Sequence, residues 1–208
     1  MFDAVIFDLD GTLIDTERLA LTATIAAFNA VGIPADVAFL HTLIGKDMPT
    51  AEGLIAARYP GLDLADLDRR VGVAMEDALV AGMPLKPGVR DLLARITLPK
   101  VIVTPSSRSS AARKLAQAGL AGEFLHVVTL DDVARPKPAP DPYLLAASML
   151  AVPPARCIVF EDSEIGAEAA CLAGMHVVQV PDILPSEGRF AHTLADDLLS
   201  GARAAGLI

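Results

Sequence analysis

Positive charge and cysteine are the two things this sequence is short of. Against 26 acidic residues stand 17 lysines and arginines, for a net charge of −9. So acidic a chain repels phosphodiester backbones and anionic headgroups, which argues against nucleic acid or a membrane surface as partner. Cys157 and Cys171 are its two cysteines and have no framework spacing, so free, buried thiols in a reducing cytoplasm are expected. No apolar run approaches the length of a membrane span. The chain enters a strand-like run at Ala4 with no basic stretch ahead of it, so no signal peptide is expected. Repeats and low-complexity tracts are missing too. The four histidines, His41, His126, His176 and His192, show no ligand spacing. What is left is 208 residues, enough for one large domain or for one domain with a smaller one inserted.

The texture of the chain favours the second arrangement. Ala4 to Phe7 is an unbroken apolar run, a short buried strand. From Thr16 to Gly82 no strand-like run appears; Glu17–Val31, Ala35–Thr42, Thr50–Arg58 and Ala65–Val80 read as helices. A turn-rich connector follows, with Gly82, Pro84, Pro87 and Gly88. Beyond it, strands at Lys100–Val103, Phe124–Thr129, Cys157–Phe160 and His176–Val180 alternate with helices at Val89–Ile96, Ser109–Gln117, Pro142–Leu150 and Ile165–Leu172. Short, fully apolar strands alternating with helices predict a parallel sheet covered on both faces. The expected fold is α/β, with a Rossmann-like parallel core from residues 1–14 and 85–208 and an inserted all-helical domain over 15–84.

Ligands of open α/β sheets bind beyond the carboxyl ends of the strands, and there the chain concentrates its polar residues. The first strand ends in Asp8-Leu9-Asp10-Gly11-Thr12. Alternation lets Asp8 and Asp10 face one side, where two carboxylates resist double ionisation unless a cation lies between them. A hard cation with oxygen ligands, Mg²⁺, suits that place, although turn-forming Asp at a strand end gives the same letters without a site. Gly11 permits a sharp exit, and the Thr12 hydroxyl can tie to nearby backbone. The second strand runs into Thr104-Pro105-Ser106-Ser107, whose hydroxyls can hold an anionic oxygen or form an ordinary loop. Prolines hold Arg135 to Pro142 extended and fix Lys137, which fits poorly as a solvated surface charge. The strand at Cys157 ends in Glu161-Asp162, acids that suit either a metal or a helix N-terminus.

In order, these strings resemble the four motifs of the haloacid dehalogenase superfamily: D-x-D-G-T-L at 8–13, the hydroxyl at Thr104, K-P-x-P-D at 137–141, and E-D-S-x-x-G-x-x-A-A-x-x-A-G-M at 161–175. The likeness is to the phosphatase branch with a helical cap, the group of sugar-phosphate phosphatases and β-phosphoglucomutases. It spans essentially the whole chain and is weakest over the cap. It implies Mg²⁺-dependent hydrolysis of a small phosphorylated metabolite, such as a sugar phosphate, through an aspartyl-phosphate. Asp8 is then the nucleophile, Asp10 the general acid and base, and Thr104, Ser106 and Lys137 hold the phosphoryl group. Metal ligands would be Asp8, the backbone carbonyl of Asp10, and Asp162, with Glu161 a ligand or its support. Asp10 disfavours carbon–halogen cleavage, whose enzymes lack this second acid.

Pro105 departs from the pattern, because proline has no N–H to offer phosphate. Either Ser106 or another amide substitutes, or phosphate is held more loosely. In the inserted segment Gly45 and Lys46 are candidate substrate readers; Lys46 is equally an exposed lysine, or the Schiff-base lysine of a phosphonate hydrolase. Arg18 and Arg108 are rim charges or plain solvated residues. A β-phosphoglucomutase-type transfer uses the same core residues and is the alternative activity, and a non-catalytic phospho-ligand sensor is a third reading. The expected state is a cytoplasmic monomer or weak homodimer binding a small phosphorylated substrate, without nucleic acid or membrane.

Overall fold

A computed structural model describes residues 1–44, 48–80, 82–183 and 185–208, with Met48 by its backbone alone. The chain divides into two compact units, residues 1–15 with 83–208, and residues 16–82.

The first unit is built on six parallel strands: β1 (Ala4–Phe7), β2 (Lys100–Val103), β3 (His126–Val128), β4 (Cys157–Glu161), β5 (His176–Gln179) and β6 (Thr193–Leu194). Their order across the sheet is β3-β2-β1-β4-β5-β6, so β1 lies inside, with Phe7 registered against Ile102 on one side and Phe160 on the other. Ala4 to Phe7 are all fully buried, which is why this stretch carries no polar residue. Alternation divides the run between two faces. Ala4 and Ile6 join Val101, Val103, Val159 and Val177 under α7 (Asp141–Leu150) and α8 (Glu164–Leu172), which supply Tyr143, Ala146, Ala147, Ala167 and Ala170. On the other face Phe7 stacks on Phe160 at 5.1 Å. There α9 (Leu198–Ala204) runs so close that a Cβ on Gly201 would lie 2.5 Å from Val178 Cγ1. The remaining helices of this unit are α5 (Val89–Arg95) and α6 (Arg108–Gln117).

Each parallel strand delivers its last residue to the same edge. Asp8, Thr104, Asp162 and the segment after Gln179 are therefore gathered by topology alone.

The second unit contains α1 (Thr16–Ala30), α2 (Val37–His41), α3 (Met48–Arg58) and α4 (Leu64–Leu79), and no strand among its described residues. Ala27, Phe28, Leu40 and Leu67 form its core, with Phe28 and Tyr59 in ring contact at 5.0 Å. Asp36 and Asp63 cap α2 and α4 by accepting from the amides of Phe39 and Asp66. The unit also encloses an apolar hollow of about 480 Å³ lined by residues such as Leu21, Leu40, Ile55 and Leu67. Among the described residues its lining is mostly hydrocarbon, with Glu17, Glu52 and Asp68 as its charges and no cation.

The α-helices and strands expected from the sequence begin and end within two residues of their expected bounds. The third strand is His126–Val128 rather than Phe124–Thr129; Phe124 instead presents its ring edge to Phe7 at 6.1 Å. Beyond Val180 the sequence predicted nothing, yet β6 and α9 complete the sheet edge and cover its second face. Gly45 and Lys46 lie outside the described residues.

Candidate active site

At the tip of β1, Asp8 is buried, and the prolines around Lys137 bring that side chain back to it. Lys137 Nζ donates to Asp8 Oδ1 at 2.7 Å, to Glu161 Oε1 at 2.6 Å and to the Val103 carbonyl at 3.0 Å. All three donors of the ammonium are thus used, and one group links the ends of β1, β2 and β4. Tyr143, from α7, places its ring 5.0 Å from the ammonium and donates its hydroxyl to Glu161 Oε1 at 2.8 Å.

Glu161 is the interior post of this network. Its other oxygen, Oε2, accepts from the amides of Asp162 and Ser163 and from Ser163 Oγ at 3.0–3.2 Å. Gly166 makes room for it: a Cβ there would stand 1.7 Å from Glu161 Oε1. Both Glu161 oxygens therefore have protein partners. Ser163 caps α8 by accepting from the Gly166 amide, so the helix-terminus reading and the site reading of this string hold together.

Asp10 stands apart from Lys137 and has its own partners. Lys114 Nζ, from α6, donates to Asp10 Oδ1 at 2.6 Å and to Ser106 Oγ at 3.0 Å; Ser106 Oγ donates to Asp10 Oδ2 at 3.1 Å. Thr104 is buried, and its Oγ1 accepts from the Ser106 amide at 3.1 Å, leaving its own O–H to donate. Next to Pro105, then, the Ser106 amide serves Thr104 and the Ser106 hydroxyl serves Asp10. Thr12 differs from expectation: its hydroxyl donates to Asp162 Oδ1 at 3.3 Å rather than to nearby backbone. Arg108 pairs with Asp132.

The electrostatics are unbalanced. Asp8, Glu161 and Asp162 crowd three carboxylates around one ammonium. Burial pushes Asp8 well above the usual carboxylate range; Lys137 pulls it back, while Glu161 and Asp162 push further. Burial, with Glu161 next, takes Asp162 to about 7. Burial works against the Lys137 charge, yet Asp8 and Glu161 hold its pKa well above the ordinary value. More positive charge is what this pocket lacks. Among the described residues no three acidic, imidazole or thiol side chains form a ready metal cage. Mg²⁺ does not require one: it takes one or two carboxylates and completes its shell with water and phosphate oxygens. Asp8 and Asp162 are such donors. The turn between them depends on Gly11 at φ +84°, where a Cβ would meet Asp162 Oδ2 at 2.4 Å. The residues present fit a hard divalent cation.

Lys114 and Tyr143 were not anticipated from sequence. Lys114 lies on an amphipathic helix with no local signal, and Tyr143 looks like a core aromatic. A search for cations one helix beyond the Thr104 loop is the signal that could have found the former.

Fold and site define an α/β protein that gathers acids and a lysine at the carboxyl edge of a parallel sheet. The family model for haloacid dehalogenase-like hydrolases matches residues 2–174, and the chain belongs to that family. Fructose-1-phosphate phosphatase YqaB of Escherichia coli (strain K12) is 35% identical over 185 residues, covering 86% of this chain and 96% of that protein. A putative β-phosphoglucomutase from Thermotoga maritima is 27% identical and matches over 100% of both chains with a TM-score of 0.83. A HAD family hydrolase from Deinococcus radiodurans R1 with bound phosphate and sodium, 26% identical, gives 0.84 over 100% of this chain and 97% of its own.

Proposed function

We propose that this protein is a Mg²⁺-dependent phosphatase that hydrolyses a small sugar phosphate through an aspartyl-phosphate on Asp8. The observation that carries the reading is the buried contact of Lys137 with Asp8 and Glu161, a cation held against a carboxylate at the sheet's carboxyl edge. Fructose-1-phosphate phosphatase activity in a 35% identical relative supports the substrate class.

Asp8 attacks phosphorus and the ester oxygen leaves; water then attacks the phosphorylated Asp8, releasing phosphate and restoring the carboxylate. Lys137 holds one Asp8 oxygen and fixes the direction of attack, while offsetting part of the charge that meets an anionic substrate. Thr104 has an unspent O–H to give a phosphate oxygen. Asp10 donates the proton to the leaving oxygen and later accepts one from water; Lys114 and Ser106 set its orientation. Asp8, the Asp10 carbonyl and Asp162 would hold the cation, which when bound supplies further positive charge to the transferring group. Glu161 and Tyr143 fix Lys137. The inserted helical unit serves as the cap that selects substrate, and the two free thiols accord with a cytoplasmic enzyme.

Likeness to a putative β-phosphoglucomutase supports a second reading, return of the phosphoryl group to sugar rather than to water. The test is Asp8→Asn assayed with Mg²⁺ against a panel of sugar phosphates. Wild type is expected to release inorganic phosphate, and the variant to fold with turnover lost. Full turnover by the variant refutes the nucleophile assignment; isomerised sugar with no phosphate released favours the mutase.

A further inference from the structure

The mechanism above leaves one buried carboxylate beside the site without a role. Asp182 follows β5 on the segment that leaves the same edge of the sheet, and its side chain is only 9% exposed. Lys86 Nζ donates to its Oδ1, but Oδ2 is buried and has no hydrogen-bond partner among the described residues. A buried acceptor left without a partner is costly, and more so when charged, so its direction matters. A Cβ built on Gly11 would meet Asp162 Oδ2 at 2.4 Å and Asp182 Oδ2 at 3.3 Å. Both oxygens converge beside the turn that carries Asp10. Next to them the fully buried Gln179 donates to the Asp162 carbonyl at 3.4 Å while its own Oε1 has no partner among the described residues. Lys86 belongs to the same frame, its amide donating to the Leu13 carbonyl at 3.0 Å.

We infer that Asp182 is a further carboxylate of the divalent-cation site, held in place by Lys86 and turned toward Asp162 across the Gly11 turn. This rests on the proposal that Asp8 and Asp162 hold such a cation. Asp182 acts by adding negative charge, and Lys86 limits how much of it the cation feels. The two residues therefore affect cation affinity in opposite directions. An ion pair serving stability alone would lower the melting temperature when either half is removed and leave cation binding unchanged.

The experiment titrates Mg²⁺ calorimetrically into the full chain and into D162N, D182N and K86M, with thermal melts in EDTA. Wild type is expected to bind and D162N to lose binding. D182N is expected to bind about tenfold more weakly, the scale seen when supports of metal sites are removed, and K86M to bind more tightly than wild type. Unchanged affinity in D182N beside lost binding in D162N overturns the role of Asp182 and leaves the parent reading standing. No Mg²⁺ binding by wild type overturns both. If D182N does not fold, K86M decides, and affinity equal to or below wild type overturns the inference.

Discussion

Gly166→Ala adds one methyl group in α8, yet it acts at the centre of the site. The new Cβ would stand 1.7 Å from Glu161 Oε1, 2.0 Å from Cδ and 2.3 Å from Oε2. To restore ordinary contact the carboxylate must retreat by roughly 1.8 Å, since nonbonded carbon and oxygen atoms settle near 3.5 Å. That displacement exceeds what hydrogen bonds of 2.6 Å to Lys137 and 2.8 Å to Tyr143 can absorb. Breaking a buried charged pair costs on the order of 3–5 kcal/mol. Alanine returns about 1 kcal/mol of helix propensity. The net loss is about 3 kcal/mol, and in a chain of this size each kcal/mol moves the melting temperature by roughly 2–4 °C. Differential scanning calorimetry should therefore show a fall of roughly 6–12 °C. Phosphatase activity should fall as well, because Lys137 loses one of its two carboxylate partners. A variant melting within 2 °C of wild type with full activity would show that Glu161 is not the post described here.

Three other outcomes follow from the structure. Lys114→Met should lower kcat about tenfold or more, because a charge-assisted hydrogen bond of about 1.5–3 kcal/mol to Asp10 is lost, while the melting temperature moves little; unchanged kcat would detach Lys114 from Asp10 function. Burial, with Asp3 next, pushes the Cys157 thiol up to about 11, so the folded state favours the neutral thiol and the unfolded state ionises first. That contribution is complete below pH 9 and is lost as pH rises toward 11. The urea midpoint should fall across that window in wild type and less in Cys157→Ala; equal falls in both would refute it. Iodoacetamide should also modify the partly exposed Cys171 before Cys157.

The sequence by itself determined the alternation of elements and the residues that close each strand. Short runs with apolar residues at consecutive positions have no polar side to show solvent, so β1, β2, β4 and β5 were legible as buried parallel strands. Asp8, Asp10, Thr104, Lys137 and Glu161-Asp162 were legible for a related reason: acids, a hydroxyl and a proline-bound lysine break off apolar runs abruptly. Beyond Val180 the pattern is short and mixed. A two-residue edge strand carries almost no periodic signal, and β6 and α9 went unseen.

What only the tertiary structure decided is which polar groups meet. Lys137 and Asp8 are 129 residues apart, and Asp10 and Lys114 are 104 apart; nothing local fixes such pairings. Glu161 and Asp162 are chemically alike in sequence, yet burial beneath Gly166 gives one to Lys137 and the other to the Gly11 turn. Asp182 reads as an ordinary loop acid until its buried oxygen is found beside the Gly11 turn that also meets Asp162. Local sequence sets where a carboxylate leaves the sheet; the desolvation and neighbouring charge that give it a role arise only when the strand ends are brought together.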